Sequence, residues 1–460
     1  MAMDRARDAL ARFRFHRPSP EALDRAMKDT AWADGLRGIA AVMVVSSHLV
    51  LCYARGIVPP CCAPNSTSPY LFQMPIFRVV ANGHSWVALF FILMGFVNSL
   101  KPLQLARSGQ IDKALSKLAS SSFSRIFRLV LPASAATIVA WLICNLGLNG
   151  VSAASDAFWL NTTTPVPSDG WQQAIKDLLS ALRGTWVYWG QNPYDQPQWA
   201  LVYLLQGSVM VISALSLVIS MTPLWRTVTL FILTFWSLNW SRIIGDRILL
   251  GEMSLSNIPK AASAASCFIS PPLIFLALFL MSYPGSWYQN ATWSTWLHDV
   301  AIAYVPADIA HAVDRVYGSV GGILLVVGII ISPHARWLLS RRPLQWLGKV
   351  SFAIYLLHGP LMRTVFAWVL HAGHQKQRIP QYDPQGTEYY VERYPVPGSL
   401  QCALATVALA ICVAAASHVW NLKVEPVFAK ITTRLEGLVT GKYYIEVKSL
   451  EKNVLPLRKD

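Results

Sequence analysis

Apolar runs close to the length of a bilayer span recur along nearly the whole of this 460-residue chain. About 20 consecutive apolar residues is what a helix needs to cross the hydrocarbon core, so the runs constrain the fold more than any other feature. Candidate spans fall near 36–55, 84–100, 127–147, 199–220, 226–244, 261–282, 299–313, 316–332, 350–370 and 400–421. Composition agrees: 54% of residues are hydrophobic and 14% charged, where globular chains carry about 25% charged residues. A secreted disulfide scaffold, a disordered chain and a string of soluble domains are excluded. The expected architecture is an all-α, polytopic membrane helical bundle of about ten transmembrane helices: a segment 1–35, a membrane domain 36–421 and a basic tail 422–460.

The net charge of +15 reads as topology rather than as a nucleic-acid footprint. With ten spans and a cytoplasmic N-terminus, the cytoplasmic segments hold roughly 25 of the 39 Lys and Arg, the positive-inside pattern. The seventh span, with Pro306 and Asp308, falls short of full length. It is kept because dropping it moves the basic segment 333–349 and the Lys-rich tail to the opposite side. The expectation is therefore an integral, multi-pass protein of an endomembrane or the plasma membrane with both termini cytoplasmic. The first 30 residues mix Arg with Asp and Glu and lack an apolar core, so no cleavable signal peptide is expected and the first span serves as insertion signal.

The seven cysteines show no metal-ligand spacing; Cys61 and Cys62 lie in an outside loop where a disulfide can form. Four sequons occur, of which Asn65 and Asn161 fall in lumenal loops and are expected to be glycosylated. Asn239 falls in a span, and Asn290 is expected to face the cytoplasm. Polar segments 148–198 and 371–399 lie on the lumenal side, either as a cap over an opening or as connectors.

Ionisable residues inside spans are functional candidates by default, and the first span offers the best set. Arg37 and His48 are eleven residues apart, which at 100° per residue brings them to within about 20° of one face, about 16 Å apart along the axis. At mid-membrane depth His48 is expected neutral and able to accept a proton. Arg37, permanently charged at the cytoplasmic mouth, suits an anionic ligand such as a phosphate. An interfacial anchor plus a structural histidine is the bland alternative. Asp34 either orients Arg37 or caps the helix. In the ninth span Ser351, Tyr355 and His358 form one helical stripe, lining a substrate path or bonding to a neighbouring helix. Arg363 needs a partner that the sequence does not name. His84 and Ser85 open the second span.

Four segments carry a resemblance. The first is DGLRGIAAVMVVSSH at 34–48, with its Arg, ten residues, then His. HSWVALFFILMGFV follows at 84–97, FSRIFRLVLP at 123–132 and LGKVSFAIYLLHGP at 347–360. In that order they resemble the acyltransferase 3 family of integral membrane O-acyltransferases, over about residues 30–420. His-Gly-Pro and Gln-Gly-Ser at 206–208 look closer to fungal members. The resemblance implies transfer of an acyl group, commonly acetyl from acetyl-CoA, to a hydroxyl of a small-molecule acceptor, often a secondary metabolite. Acyl-CoA would be a co-substrate, with no bound cofactor and no metal. His48 would act as general base, and Arg37, Arg125 and Arg128 would grip the phosphates of CoA. Arg125 and Arg128 also read as ordinary topogenic charges.

Two departures from the family pattern stand out. Leu204 occupies the position of a Glu, and Met94 occupies one that is usually small. They leave a catalytically inactive relative as one alternative; a proton-coupled transporter with intramembrane His, Arg and Asp308 is another.

Overall fold

A computed structural model describes residues 30–61, 70–238, 262–305, 312–382, 386 and 388–439. The labelled helices are α1 (Ala31–Tyr53), α2 (Gly83–Arg107), α3 (Ile111–Asn145), α4 (Phe158–Thr163), α5 (Trp171–Trp186), α6 (Trp199–Val218), α7 (Pro223–Leu238), α8 (Ala262–Met281), α9 (Thr292–Tyr304), α10 (Val313–Ile331), α11 (Arg342–Leu361), α12 (Ser399–Val419) and α13 (Glu425–Val439). A π turn, Met362–Phe366, and Ala367–Leu370 extend α11. Strands β1 (Gln377–Tyr382) and β2 (Glu388–Arg393) pair antiparallel in the 371–399 segment. Among the described residues, seven helical stretches are long and apolar enough to cross a membrane: α1, α2, α3, α6, α10, α11 with its extension, and α12 continuing into α13. The chain is thus an all-α membrane bundle, with one small hairpin among the described residues.

The end of the bundle where α1 begins is its near face, and the end where α1 finishes is its far face. α1 and α11 run parallel, because Gly35 lies against Leu339, Gly38 against Gly348, and His48 beside His358. Their backbones approach so closely that a Cβ on Gly38 would sit 2.7 Å from the Gly348 nitrogen, and one on Gly348 would sit 2.3 Å from the Asp34 carbonyl oxygen. Small residues allow this approach in membranes, and forcing an Ala between the helices costs about 1–3 kcal/mol. α2 runs antiparallel to α1, with Gly83 against Ser47 and the Trp32 and Phe96 rings 5.2 Å apart. Trp32, Leu89, Ile92 and Phe96 are fully buried at the centre of the main core.

The described residues do not support the expected seventh span, whose Pro306 and Asp308 lie outside them. α9 has 13 residues, about 20 Å of helix, and both of its flanks lie on the far face. On one side, the Met281 carbonyl accepts from Ser85 (2.8 Å) and Asn82. On the other, Gly318 packs against the same Ser85. α8 therefore ends, and α10 begins, on the far face. The apolar stretch AIAYV resembles part of a span, but no long helix contains it. Residues 283–304 carry no Lys or Arg, so placing them on the far face leaves the basic charge near. The Asn290 sequon lies in this segment and shares the far face with Asn161, against the expectation that it faces the other side. Asn65 and Asn239 lie outside the described residues. α12 returns along α1 from Thr406, which bonds Tyr53 (3.0 Å), to His418 beside Trp346, so the start of α13 lies at the near face.

Candidate active site

The α1–α11 seam sets the first half of the site. Arg37 Nε donates to Ser351 Oγ at 3.0 Å, and Nη2 donates to the Gly348 carbonyl at 2.9 Å and pairs with Asp34 at 3.0 Å. Asp34 therefore orients Arg37 from within the helix. Ser351 donates in turn to the Gly348 carbonyl at 2.8 Å. The glycines of the Asp-Gly-Leu-Arg-Gly segment make this possible, since only the missing side chains let α11 come close enough to meet the guanidinium.

Arg37 also borders a cavity of about 580 Å³ at the near face. Its mouth is polar, carrying Lys117, Arg125, Arg128 and Lys349 together with Glu425 and Glu436 of α13. Ser120 and Ser124 donate to the Glu436 carboxylate, the latter at 2.6 Å, and so fix α13 across α3. The inner end is apolar, with Val87, Phe90, Leu93, Leu201 and Leu204, and closes on Tyr355. Met94 fills part of this end, its sulfur accepting from Asn98 (3.1 Å) and Ser208 (3.2 Å).

Beyond Tyr355 lies the second half. The Tyr355 ring stands 5.8 Å from that of His358, and its hydroxyl donates to the Pro197 carbonyl. His358 is fully buried. Its Nδ1 faces the carbonyls of Tyr355 (2.8 Å) and Ile354 (3.1 Å). Carbonyls only accept, so Nδ1 bears the proton and Nε2 of the neutral ring is an acceptor. His48 Nδ1 lies 3.1 Å from that Nε2 and must donate to it. The remaining nitrogen, His48 Nε2, is left as a bare lone pair without a hydrogen-bond partner among the described residues, on a half-buried ring. The two imidazoles lie nearly parallel, and Trp159 of α4 stacks on His48 with centroids 4.9 Å apart.

Arg363 finds its partner in Asp195, Nη1 to Oδ1 at 3.1 Å, with both side chains buried. Its guanidinium also covers the Trp159 ring at 5.1 Å. The other Asp195 oxygen accepts from Gln198 (3.1 Å). Gln198 Oε1 receives Thr137 (3.1 Å), and Asn192 bonds Thr137 at 2.7 Å. Removing one partner from such a buried pair destabilises by about 3–5 kcal/mol.

The structure brings the sequence-derived residues into two connected groups. Arg37, Arg125, Arg128, Ser351 and Tyr355 border the cavity, while His48 and His358 form the deeper pair. All three members of the α11 stripe bond neighbouring segments, and Ser351 and Tyr355 also line the cavity. Ser85 makes a helix-to-helix contact rather than a site contact. Trp159 and Asp195 escaped the sequence reading: both lie in the loop-rich 148–198 segment, where no periodicity assigns a face. Asp195 supplies a carboxylate near the histidines in a chain that has Leu204 where the resemblance expects Glu. Outside the membrane spans, burial pushes His371 down to about 4. Asn161 is half-buried, its amide 3.3 Å from the Ala153 carbonyl. Cys61 is disulfide-bonded, whereas Cys52, Cys144, Cys402 and Cys412 are free.

A family model for acyltransferase 3, described as an acyltransferase domain, matches residues 30–417. Among curated proteins, the chain is 24% identical over 378 residues to O-acetyltransferase PaAT-1 of Phomopsis amygdali, covering 74% of this chain and 73% of that protein. It is 23% identical over 426 residues to acyltransferase clz18 of Cochliobolus lunatus, covering 78% and 88%. No solved structure matches.

Proposed function

This chain belongs to the acyltransferase 3 family and is an O-acyltransferase, and we propose that it moves an acetyl group from acetyl-CoA to a hydroxyl of a small organic acceptor. The printed name of the Phomopsis relative, an O-acetyltransferase, supports acetyl. A secondary metabolite as acceptor rests on the likeness to fungal enzymes. The observation that carries the mechanism is the bare Nε2 of His48, fixed by His358, at the inner end of a seam whose outer end opens on a cationic cavity.

In this reading the near face is cytoplasmic, where the Lys and Arg excess and acyl-CoA both lie. Both ends lie on that side, in an endomembrane or the plasma membrane, and Asn161 faces the lumen. Arg37, Arg125 and Arg128 hold the CoA phosphates by charge-assisted hydrogen bonds, and the acyl arm reaches along the apolar end past Tyr355. His48 Nε2 takes the proton of the acceptor hydroxyl as its oxygen attacks the thioester carbonyl. Collapse of the tetrahedral intermediate expels the CoA sulfur, which takes that proton back from His48, leaving ester and free CoA. No acyl-enzyme is needed: Ser47 donates to the Val44 carbonyl at 2.7 Å and Cys52 is buried. The test is CoA release from acetyl-CoA by purified protein in detergent with a panel of hydroxylated acceptors. Turnover that depends on acceptor and vanishes in His48→Ala supports the reading; full turnover in His48→Ala sinks it.

A further inference from the structure

We infer that Asp195 and Arg363 are positioning residues for the histidine pair, a role that rests on the reading of His48 as the base. The pair is 3.1 Å apart and almost wholly excluded from solvent, at 2% and 0% exposure. Buried ion pairs are weak stabilisers, often replaceable by apolar side chains without loss, so their worth lies in the geometry they impose. Here that geometry reaches both histidines. Gly359 follows His358 in the chain, and a Cβ there would lie 2.2 Å from Asp195 Oδ1. The carboxylate thus presses on the backbone beside His358. On the other side, the Arg363 guanidinium lies over Trp159, whose ring stacks on His48. One ion pair therefore braces His358 through its backbone and His48 through an aromatic spacer.

Two details separate this from ordinary packing. Arg363 Nε and Nη2 are buried with no hydrogen-bond partner among the described residues: the guanidinium sets its plane on Trp159 rather than on satisfying its own donors. Asp195 is itself rigidly held, by Gln198 and by its backbone N–H, which donates to Asn192 Oδ1 at 3.3 Å. The Asn192–Gln198 loop is fastened to α3 through Thr137, and to α11 through the Tyr355 hydroxyl on Pro197. The pair joins that loop, the π turn and the α4 tryptophan at the one place where the two imidazoles must keep their hydrogen bond. Misplacement of a catalytic group by about 1 Å can cost about a hundredfold in rate.

The experiment compares the single variants with the double variant Asp195→Asn/Arg363→Met, which removes both charges while keeping side-chain size. Acetyl-CoA-dependent turnover and thermal unfolding are measured in detergent. The double variant is expected to melt close to the parent, with kcat down about tenfold to a hundredfold and KM for acetyl-CoA within about twofold. Asp195→Glu and Arg363→Lys, which keep the charges, should recover part of kcat if they fold. A double variant with the parent's kcat makes the pair mere packing and overturns the proposal. A selective rise in KM assigns the pair to donor binding and also overturns it. Should the double variant fail to fold, Arg363→Lys decides alone: lowered kcat at unchanged KM supports positioning, and unchanged kcat refutes it. His48→Ala in the same assay separates the two levels, because turnover retained there removes the base whatever the pair does.

Discussion

The near-face cavity and the deep histidine pair are built on opposite rules. At the cavity mouth Arg125 and Arg128 make no hydrogen bond or ion pair within the described protein; Arg128 is exposed and Arg125 half-buried. Around the histidines the hydrogen bonds run on from group to group, and one imidazole nitrogen is left over. Charges open to solvent are screened and cheap to leave unpaired, so they can wait for a polyanion. Buried polar groups are costly unless satisfied, and the atoms the deep site leaves without a hydrogen bond among the described residues are His48 Nε2 and two Arg363 nitrogens beside the Trp159 ring. Binding and catalysis should therefore separate cleanly in mutant kinetics.

The largest expected effect tests the catalytic pole. His48→Ala should lower kcat by about 10²–10⁴-fold, the usual worth of a positioned general base, with KM for acetyl-CoA within about twofold. An equal rise in KM would merge the two regions and break the comparison. His358→Ala comes next, with kcat down about tenfold to a hundredfold, the scale seen when an orienting partner is removed. Free of His358, His48 can turn its protonated nitrogen toward the substrate, so the loss again belongs to kcat.

How much of this the sequence revealed follows from what periodicity can and cannot read. The α1 arithmetic put Arg37 and His48 on one face, and both meet α11. The Ser351, Tyr355 and His358 stripe was equally legible, because a helix fixes which side chains align. Asp195 was not, being 168 positions before its partner and in a loop. Arg363, five residues after His358, lies about 140° off that stripe on a regular helix. The error over 299–313 has a similar origin: hydropathy reports apolarity, whereas crossing depends on where both flanks dock, and Ser85 holds both on one face.

The binding pole should respond in the other parameter. Arg125→Gln is expected to raise KM for acetyl-CoA about tenfold, a single charge-assisted bond's worth, with kcat within about threefold. Arg128→Gln, at the more exposed position, should raise it about twofold to fivefold. Both effects should shrink as salt rises from about 50 to 500 mM, since solvent-facing charges are screened. A salt-independent KM would mean that the cavity is not where the anion binds.

The smallest effect belongs to the far face, where the buried side chains of Ser155 and His371 form a loop clamp. The Ala157 N–H donates to Ser155 Oγ (3.0 Å), and the Ser155 hydroxyl shares a hydrogen bond with His371 Nε2 at 2.8 Å. His371 stacks on Tyr394, whose backbone pairs with Ala154 and Asp156. Burial holds the closed ring at about 4, against about 6.5 for a free histidine. The open form thus takes up a proton first as pH falls. The clamp's stabilisation is complete above about 6.5 and fades toward 4. Hydrogen exchange in 388–394 should accelerate over that window relative to α1, and a His371→Gln variant should lose the pH dependence. Because the clamp touches neither the cavity lining nor the His48–His358 bond, its loosening should leave KM for acetyl-CoA unchanged. A KM that moved with it would tie the far-face loops to donor binding and blur the division between the two poles.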